Sequence, residues 1–293
     1  AIDKLENLLK DAVCKQMMAD VPLGAFLSGG VDSSLIVALM QAQSTRPVKT
    51  FTIGFNEKGY NEATYAKAVA KHLGTEHTEL YVTDEQVRAV IPLLSTLYDE
   101  PFSDSSQIPT FLVSQLARQC VKVSLSGDAG DELFCGYNRY QMTANLWHKF
   151  AKVPISFRKL AAQGIISISP KTWNTIASAL SGLMPRSFRL ANVGDKLHKG
   201  AGVLLSQSVE ELYLGLISHW HDPESVVIGD HEPPTILTGN VLDLSGLDNV
   251  QRMMASDMLT YLPDDILTKV DRAAMGVSLE TRVPFLDHRV VEF

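Results

Sequence analysis

The stretch "FLSGGVDSSLIV" (residues 26–37) decides the fold. Two glycines, three serines and one carboxylate, Asp32, stand between two apolar runs. The first run, "VPLGAFLS", is short and ends in Ser-Gly-Gly, which reads as a buried strand. "VDSSLIVALMQAQ" is too long for a strand and apolar almost all round, so it predicts a helix packed on a sheet. In doubly wound sheets ligands sit outside the carboxyl ends of the strands. Ser28-Gly29-Gly30 lies at such an end, where glycines let bare backbone N–H groups approach a ligand. The helix opening near Val31 adds unpaired N–H groups and partial positive charge, which suits a phosphate. Ser28, Ser33 and Ser34 can donate hydroxyls to the same oxygens. Asp32 would repel a bare phosphate unless a divalent cation lies between them, so the stretch asks for Mg²⁺ with a polyphosphate. The Walker A spacing and the GxGxxG fingerprint are both absent. A strand–turn–helix corner capped by Ser and Asp is the plain structural alternative.

Outward from this turn, residues 2–19 have the apolar spacing of an amphipathic helix. "VKTFTIGF" (48–55), "HTELYV" (77–82) and "VKVSLS" (121–126) read as further strands. Between them, "NEATYAKAVAKHLG" predicts a helix with Asn61 as N-cap and Gly74 as stop, and "IPTFLVSQLARQ" predicts another. Strands alternating with helices mean βαβ units and a mainly parallel, doubly wound α/β sheet. Beyond about residue 145 the segments "SVEELYLGLISHW" and "NVQRMMASDMLTYL" read as helices, and no strand is expected. The expected division is a nucleotide-binding α/β core over 1–145 and a mostly helical part over 146–293.

Composition narrows the function classes. A net charge of -7 over 293 residues lacks the basic footprint of a nucleic-acid or anionic-membrane binder. No apolar run reaches the roughly 18 residues of a spanning helix, and no signal-peptide pattern opens the chain. Cys14, Cys120 and Cys135 form neither a CxxC pair nor an even-numbered framework, which fits a reducing cytoplasm. Cys14 reads as a small buried packing residue rather than a nucleophile. In "SHWHD" (218–222), His219, His221 and Asp222 lack the further ligands of a zinc set and read as a polar turn. The "RMM" and "DML" methionines are helix-spaced and read as core.

"SLSGDAGDELFCGYNRY" (124–140) repeats the logic of the first turn at another strand end. Ser126-Gly127 makes the turn, and Asp128, Asp131 and Glu132 crowd the start of the next helix. Three carboxylates in five residues repel one another unless a cation or a raised pKa relieves them. Acidic residues are also favoured in a first helical turn, which accounts for one or two of them.

These residues carry a resemblance. "SGGVDSS" is similar to the PP-loop of the ATP pyrophosphatases, which cleave ATP between the α- and β-phosphates. Together with "SLSGDAGDELFCGYNRY" and "LPDDILTKVDRAAMGVSLETRVPFLDHR" (262–289), it resembles the synthetase domain of the glutamine-dependent asparagine synthetases, a domain shared with the β-lactam synthetases. The match is well spaced over 1–140 and 250–293. The resemblance implies an ATP-dependent ligase that activates a carboxylate as acyl-adenylate, releases pyrophosphate, and lets ammonia displace AMP. It places Ser28, Gly29, Gly30, Asp32, Ser33 and Ser34 on the pyrophosphate, Leu27 and Ile53 beside the adenine, and Ser126-Gly127 near the AMP. Asp32 and Asp131 become Mg²⁺ ligands, and Asp128 falls where the family carries a glutamate that assists the amine step. The acceptor stays open between aspartate and a sugar acid, because relatives that amidate surface-polysaccharide sugars often show the "SGDxGDELF" form. A nucleotide-binding module without full turnover is the other open class. In the family a glutaminase domain supplies ammonia, and a catalytic lysine follows "RVPFLDHR" by some tens of residues. This chain opens "AIDKLENLLK" and ends at Phe293, so both are expected to lie outside it; Lys269 and Arg272 hold other positions.

Overall fold

Five parallel strands form one sheet in the order β3-β2-β1-β4-β5: β1 (Leu23–Phe26), β2 (Lys49–Phe55), β3 (Glu76–Val82), β4 (Val123–Leu125) and β5 (Glu280–Arg282). The computed structural model describes residues 1–55, 62–180, 192–218, 220, 225–227, 229, 233–239 and 244–293. The helices of the first part are α1 (Ile2–Gln16), α2 (Val31–Ala42), α3 (Ala63–Leu73), α4 (Asp84–Val90), α5 (Leu94–Leu97), α6 (Gln107–Arg118) and α7 (Gly130–Phe134). There follow α8 (Asn138–Phe150), α9 (Ile155–Ile166), α10 (Pro170–Leu180), α11 (Val193–Leu205), α12 (Val209–Ile217) and α13 (Asn249–Leu259). A π-helical turn at Leu262–Leu267, with Pro263 inside it, leads into α14 (Thr268–Met275), and α15 (His288–Val291) closes the chain. The reading of a doubly wound α/β core therefore holds.

Side-chain alternation along the strands gives the sheet two apolar faces. Ala25, Leu27 and Leu125 pack with Leu9 and Val13 of α1, Ile36 and Met40 of α2, and Ala66 and Ala70 of α3. Phe51 packs on the other face with Leu116 and Ala117 of α6 and Ala274 of α14. A further cluster joins Val82 to Phe111, Leu112 and Ala273, with Ile53 and Phe55 against it. Gly74 ends α3 in the left-handed conformation (φ 73°), as its place in the sequence predicts. Asn61, expected as that helix's N-cap, lies outside the described residues, as do His219, His221 and Asp222.

Three expectations are corrected. The later part of the chain does contain a strand: β5 pairs in parallel with β4 through Val123↔Glu280 and Leu125↔Arg282. Three largely polar residues after a helix carry too short an alternation to read as one. Cys14 is exposed on α1 rather than buried. Of the methionines, Met253 is buried, while Met254 and Met258 are only half-buried.

Two compact units divide the chain, Ala1–Gly136 with Asp257–Phe293, and Tyr137–Ser256. The C-terminal segment belongs with the first unit because β5 and α14 complete its sheet and core. Within the second unit α11 packs on α9 and α10, and α12 on α8. Buried Arg158 donates to the carbonyls of Val153, Leu204 and Ser206. Arg139 lies 4.0 Å from the Tyr137 ring and donates to the Tyr213 hydroxyl at 2.9 Å. The described residues of this unit hold no strand.

Candidate functional site

The loop after β1 is held by its own side chains. Ser28 and Ser33 share a hydroxyl–hydroxyl hydrogen bond of 2.9 Å, the Gly30 N–H donates to Ser28 Oγ at 3.2 Å, and the Ser28 N–H donates to Ser33 Oγ at 3.2 Å. Gly29 takes φ 84°, and a Cβ there would stand 2.5 Å from the Ala66 nitrogen, so only glycine lets the loop lie on α3. Gly30 is the N-cap of α2, whose first turn presents the unpaired N–H groups of any helix start. Ser34 Oγ is buried without a protein hydrogen-bond partner. Val31, opening α2, is 83% exposed, so the helix is not buried all round as its composition suggests.

The second motif meets the first through glycines. A Cβ on Gly127 would lie 2.6 Å from the Ser33 nitrogen, and one on Gly130 would lie 2.7 Å from Asp32 Oδ1. Strand β5 sets this approach, because the Ser126 N–H donates to the Arg282 carbonyl at 2.8 Å. The Ser126 hydroxyl donates to Asp128 Oδ2. Helix α7 is bracketed by Ala129 at φ 69° and Cys135 at φ 61°. Non-glycine residues in that conformation cost about 1–2 kcal/mol each and persist where surroundings impose them, a habit of functional turns.

Electrostatics singles out the carboxylates. The Asp32 carboxyl is pushed above its ordinary range by burial, then by the charges of Asp131 and Asp128. Burial also pushes Asp128 up and Asp131 adds to it, against the lowering effects of the Ser126 hydroxyl and the Lys269 ammonium. Glu132 points inward instead, with 1% exposure, and belongs to the packing. Leu27 is core, and its N–H donates to the Phe51 carbonyl at 2.9 Å. Ile53 is half-buried in β2, paired with Leu80 of β3.

A second charged cluster escaped the sequence reading. Lys269, 8% exposed at the start of α14, donates to Asp104 Oδ2 at 2.6 Å and to Ser106 Oγ at 2.7 Å. Burial would raise the Asp104 carboxyl, but Lys269 and the Ser106 N–H and hydroxyl together hold it below its ordinary range. The available signal was spacing: Lys269 falls in the apolar stripe Ile266, Val270, Ala273, Ala274, where a lysine needs a partner.

The family model described as asparagine synthase matches residues 4–293. A Mycobacterium tuberculosis (strain H37Rv) protein with the provisional name of a glutamine-hydrolysing asparagine synthetase is 36% identical over 98% of this chain and 41% of its own length. Bacillus subtilis glutamine-hydrolysing asparagine synthetase 1 is 30% identical over 99% of this chain and 43% of its own. Escherichia coli asparagine synthetase B is 33% identical over 49% of this chain and 28% of its own. The chain thus spans about two fifths of the length of the first two relatives. Among the described residues no helix is long and apolar enough to cross a membrane. Two glycine turns packed on each other, three aspartates at their junction and a family match along nearly the whole sequence lead to one conclusion: the chain belongs to the asparagine synthase family.

Proposed function

We propose that this chain is the ATP-dependent, amide-forming part of a glutamine-hydrolysing ligase, activating a carboxylate as acyl-adenylate and passing it to ammonia. The supporting observation is the contact of Gly127 with Ser33 and of Gly130 with Asp32, which joins an anion-suited loop to Asp128 and Asp131. In this reading the N–H groups and hydroxyls of Ser28–Ser34 hold the β- and γ-phosphates. The backbone near Leu27 and Ile53 borders the adenine; since the Leu27 N–H serves the sheet, its carbonyl is the atom to meet the base. Ser126-Gly127 lies along the AMP.

Asp32 and Asp131 would hold Mg²⁺. Among the described residues no three His, Cys, Asp or Glu side chains form a ready cation cage. Magnesium takes one or two protein carboxylates and completes its shell with phosphate and water. The mutual repulsion that lifts Asp32 is what a cation between the carboxylates would relieve. When bound, Mg²⁺ supplies charge neutralisation on the phosphates.

The acceptor carboxylate oxygen attacks the α-phosphorus, the bond to the bridging oxygen breaks, and pyrophosphate leaves in the loop. Ammonia then adds to the acyl carbon as NH₃ and becomes an ammonium in the tetrahedral intermediate. Asp128, whose carboxyl burial pushes above its ordinary range, takes the proton as AMP departs. The ammonia would come from a glutaminase domain, in a reducing cytoplasmic setting and without nucleic-acid or membrane partners. Carboxylate-dependent exchange of labelled pyrophosphate into ATP, run with L-aspartate and a panel of other acids, tests the proposal. No exchange with any acid, under conditions where the protein binds Mg·ATP, would sink it.

A further inference from the structure

Charge is unevenly spread along this chain. From Leu133 to Gly194 the sequence has eight Lys and Arg and not one Asp or Glu, so all 33 acidic residues stand in the remainder. The net charge of -7 therefore hides a cationic stretch of 62 residues. Helices α8, α9 and α10 are made from it and lie within the second unit. Their arginines are used inside that unit: Arg158 is buried on three carbonyls, and Arg139 stacks on Tyr137. Lys149, Lys152, Lys159 and Lys171 are exposed, and none of them pairs with a carboxylate among the described residues.

Helix α9 carries two apolar stripes. One is packed: Ala162 is buried, Ile155 and Ile165 are half-buried beside it, and the helix rests on α11. The other is bare. Phe157 is 65% and Leu160 66% exposed, Val153 just ahead of the helix is exposed too, and a Cβ on Gly164 would meet nothing within 4 Å. Phe157, Leu160 and Gly164 follow at steps of three and four residues, so they share one line along the helix. Lys159 flanks that line, Lys149 stands near the end of α8, and Lys152 lies in the turn between the two helices. Large apolar side chains gathered in the open mark a docking face. The kind of cation tells what docks. Interfaces between proteins favour arginine and are poor in lysine, whereas the exposed cations of α8 to α10 are all lysines. A lysine can keep its ammonium among lipid headgroups while its methylenes lie on apolar surface. Helices that lie in a bilayer surface combine such lysines with Phe and Leu on the dipping side, and anionic lipid strengthens their hold.

We propose that α9 and the lysines around it dock this chain on an anionic lipid bilayer. Phe157 and Leu160 enter the boundary between headgroups and acyl chains, and Lys149, Lys152 and Lys159 meet the lipid phosphates. The ligase chemistry calls for no membrane, so this attachment is a property apart from it. Among the described residues no helix is long and apolar enough to cross a bilayer, and docking asks only that α9 lie on one. Co-flotation with vesicles tests this, comparing phosphatidylcholine alone with an equal mixture of phosphatidylcholine and phosphatidylglycerol. The chain is expected to bind the anionic vesicles about tenfold more tightly or better, and to lose that advantage as salt is added. Phe157→Ser combined with Leu160→Ser should weaken binding about tenfold or more. Lys152→Ser and Lys159→Ser should each weaken it about fivefold. All four positions are open to water, so the melting temperature should hold. Lys10→Ser, outside the cationic stretch, should change nothing. Equal binding to both vesicles, or binding to neither, would overturn the proposal. Binding that ignores Phe157 and Leu160 would be general attraction of charge and would remove α9 as the docking face. Tighter binding to polyglutamate than to the anionic vesicles would point to an acidic protein and overturn the membrane. A chain that dimerises through Phe157 and Leu160 and leaves vesicles alone would make the face a contact between copies, which also overturns it.

Discussion

A methyl group on Gly127 would press on the Ser33 amide nitrogen from 2.6 Å, and backbone cannot yield as a flexible side chain can. Gly127→Ala should therefore push the two turns apart, at about 1–3 kcal/mol of overpacking. We expect Mg·ATP affinity to fall at least tenfold in a calorimetric titration, alongside a lower melting temperature. Unchanged affinity would mean that the two turns do not share one ligand. Asp128 belongs to the amine step in our reading, so Asp128→Asn should retain pyrophosphate exchange. Amide formation should drop by a hundredfold or more, the usual share of a general base. If exchange disappears too, Asp128 serves the nucleotide and the division of roles is wrong. These residues were legible in the sequence because their chemistry is local: glycines, hydroxyls and carboxylates stand within a few positions of each other. Lys269 was not, since its partner Asp104 lies 165 residues away and no spacing rule reaches so far.

At the scale of elements, β1 to β4 and the helices α1, α2, α3 and α6 were legible as apolar runs bounded by turn residues, and β5 was not. The segment 84–97 carries its start signal just before it, where Thr83 and Gln86 form a capping box, the Gln86 N–H donating to Thr83 Oγ1 at 3.3 Å and the Thr83 N–H to Gln86 Oε1 at 2.9 Å. Strand β5 offered none, because its three residues owe their conformation to the edge of β4. The pair formed by Lys269 and Asp104 couples α14 to the loop before α6, and both side chains are mostly shielded, at 10% and 16% exposure. Lys269→Met should cost about 3–5 kcal/mol, because it leaves the Asp104 carboxylate buried without its ammonium. Adding Asp104→Leu should recover most of that loss, since removing a buried pair together is often close to neutral. Urea unfolding of the single and double variants measures both. A double variant no more stable than the single would show that the cluster holds the fold through something other than charge pairing.

Across the whole molecule, the first unit is closed by contacts between the two ends of the chain. Arg289 donates to Asp11 of α1 at 2.5 Å and to Asp287 at 2.7 Å. Hydrogen bonds from Arg289 hold the Asp287 carboxyl down to about 2, from an ordinary 3.8. A carboxyl depressed in the folded state stabilises the protein above the unfolded value and loses that contribution as pH falls through the folded one. The stability gap between the wild type and Asp287→Asn should thus be widest above about pH 4 and close toward pH 2, as followed by denaturant unfolding. A gap independent of pH would place the contribution in packing. The division into units has a consequence of another kind, in the order of manufacture. Everything from Tyr137 to Ser256 leaves the ribosome before β5 exists, which at roughly 5–20 residues per second is a wait on the order of ten seconds. Through that interval β4, carrying Val123 and Leu125, is an open border of the nascent sheet, able to recruit any strand that comes past. The protein's yield in a cell should then depend less on its final stability than on how well that border is guarded while the rest is made.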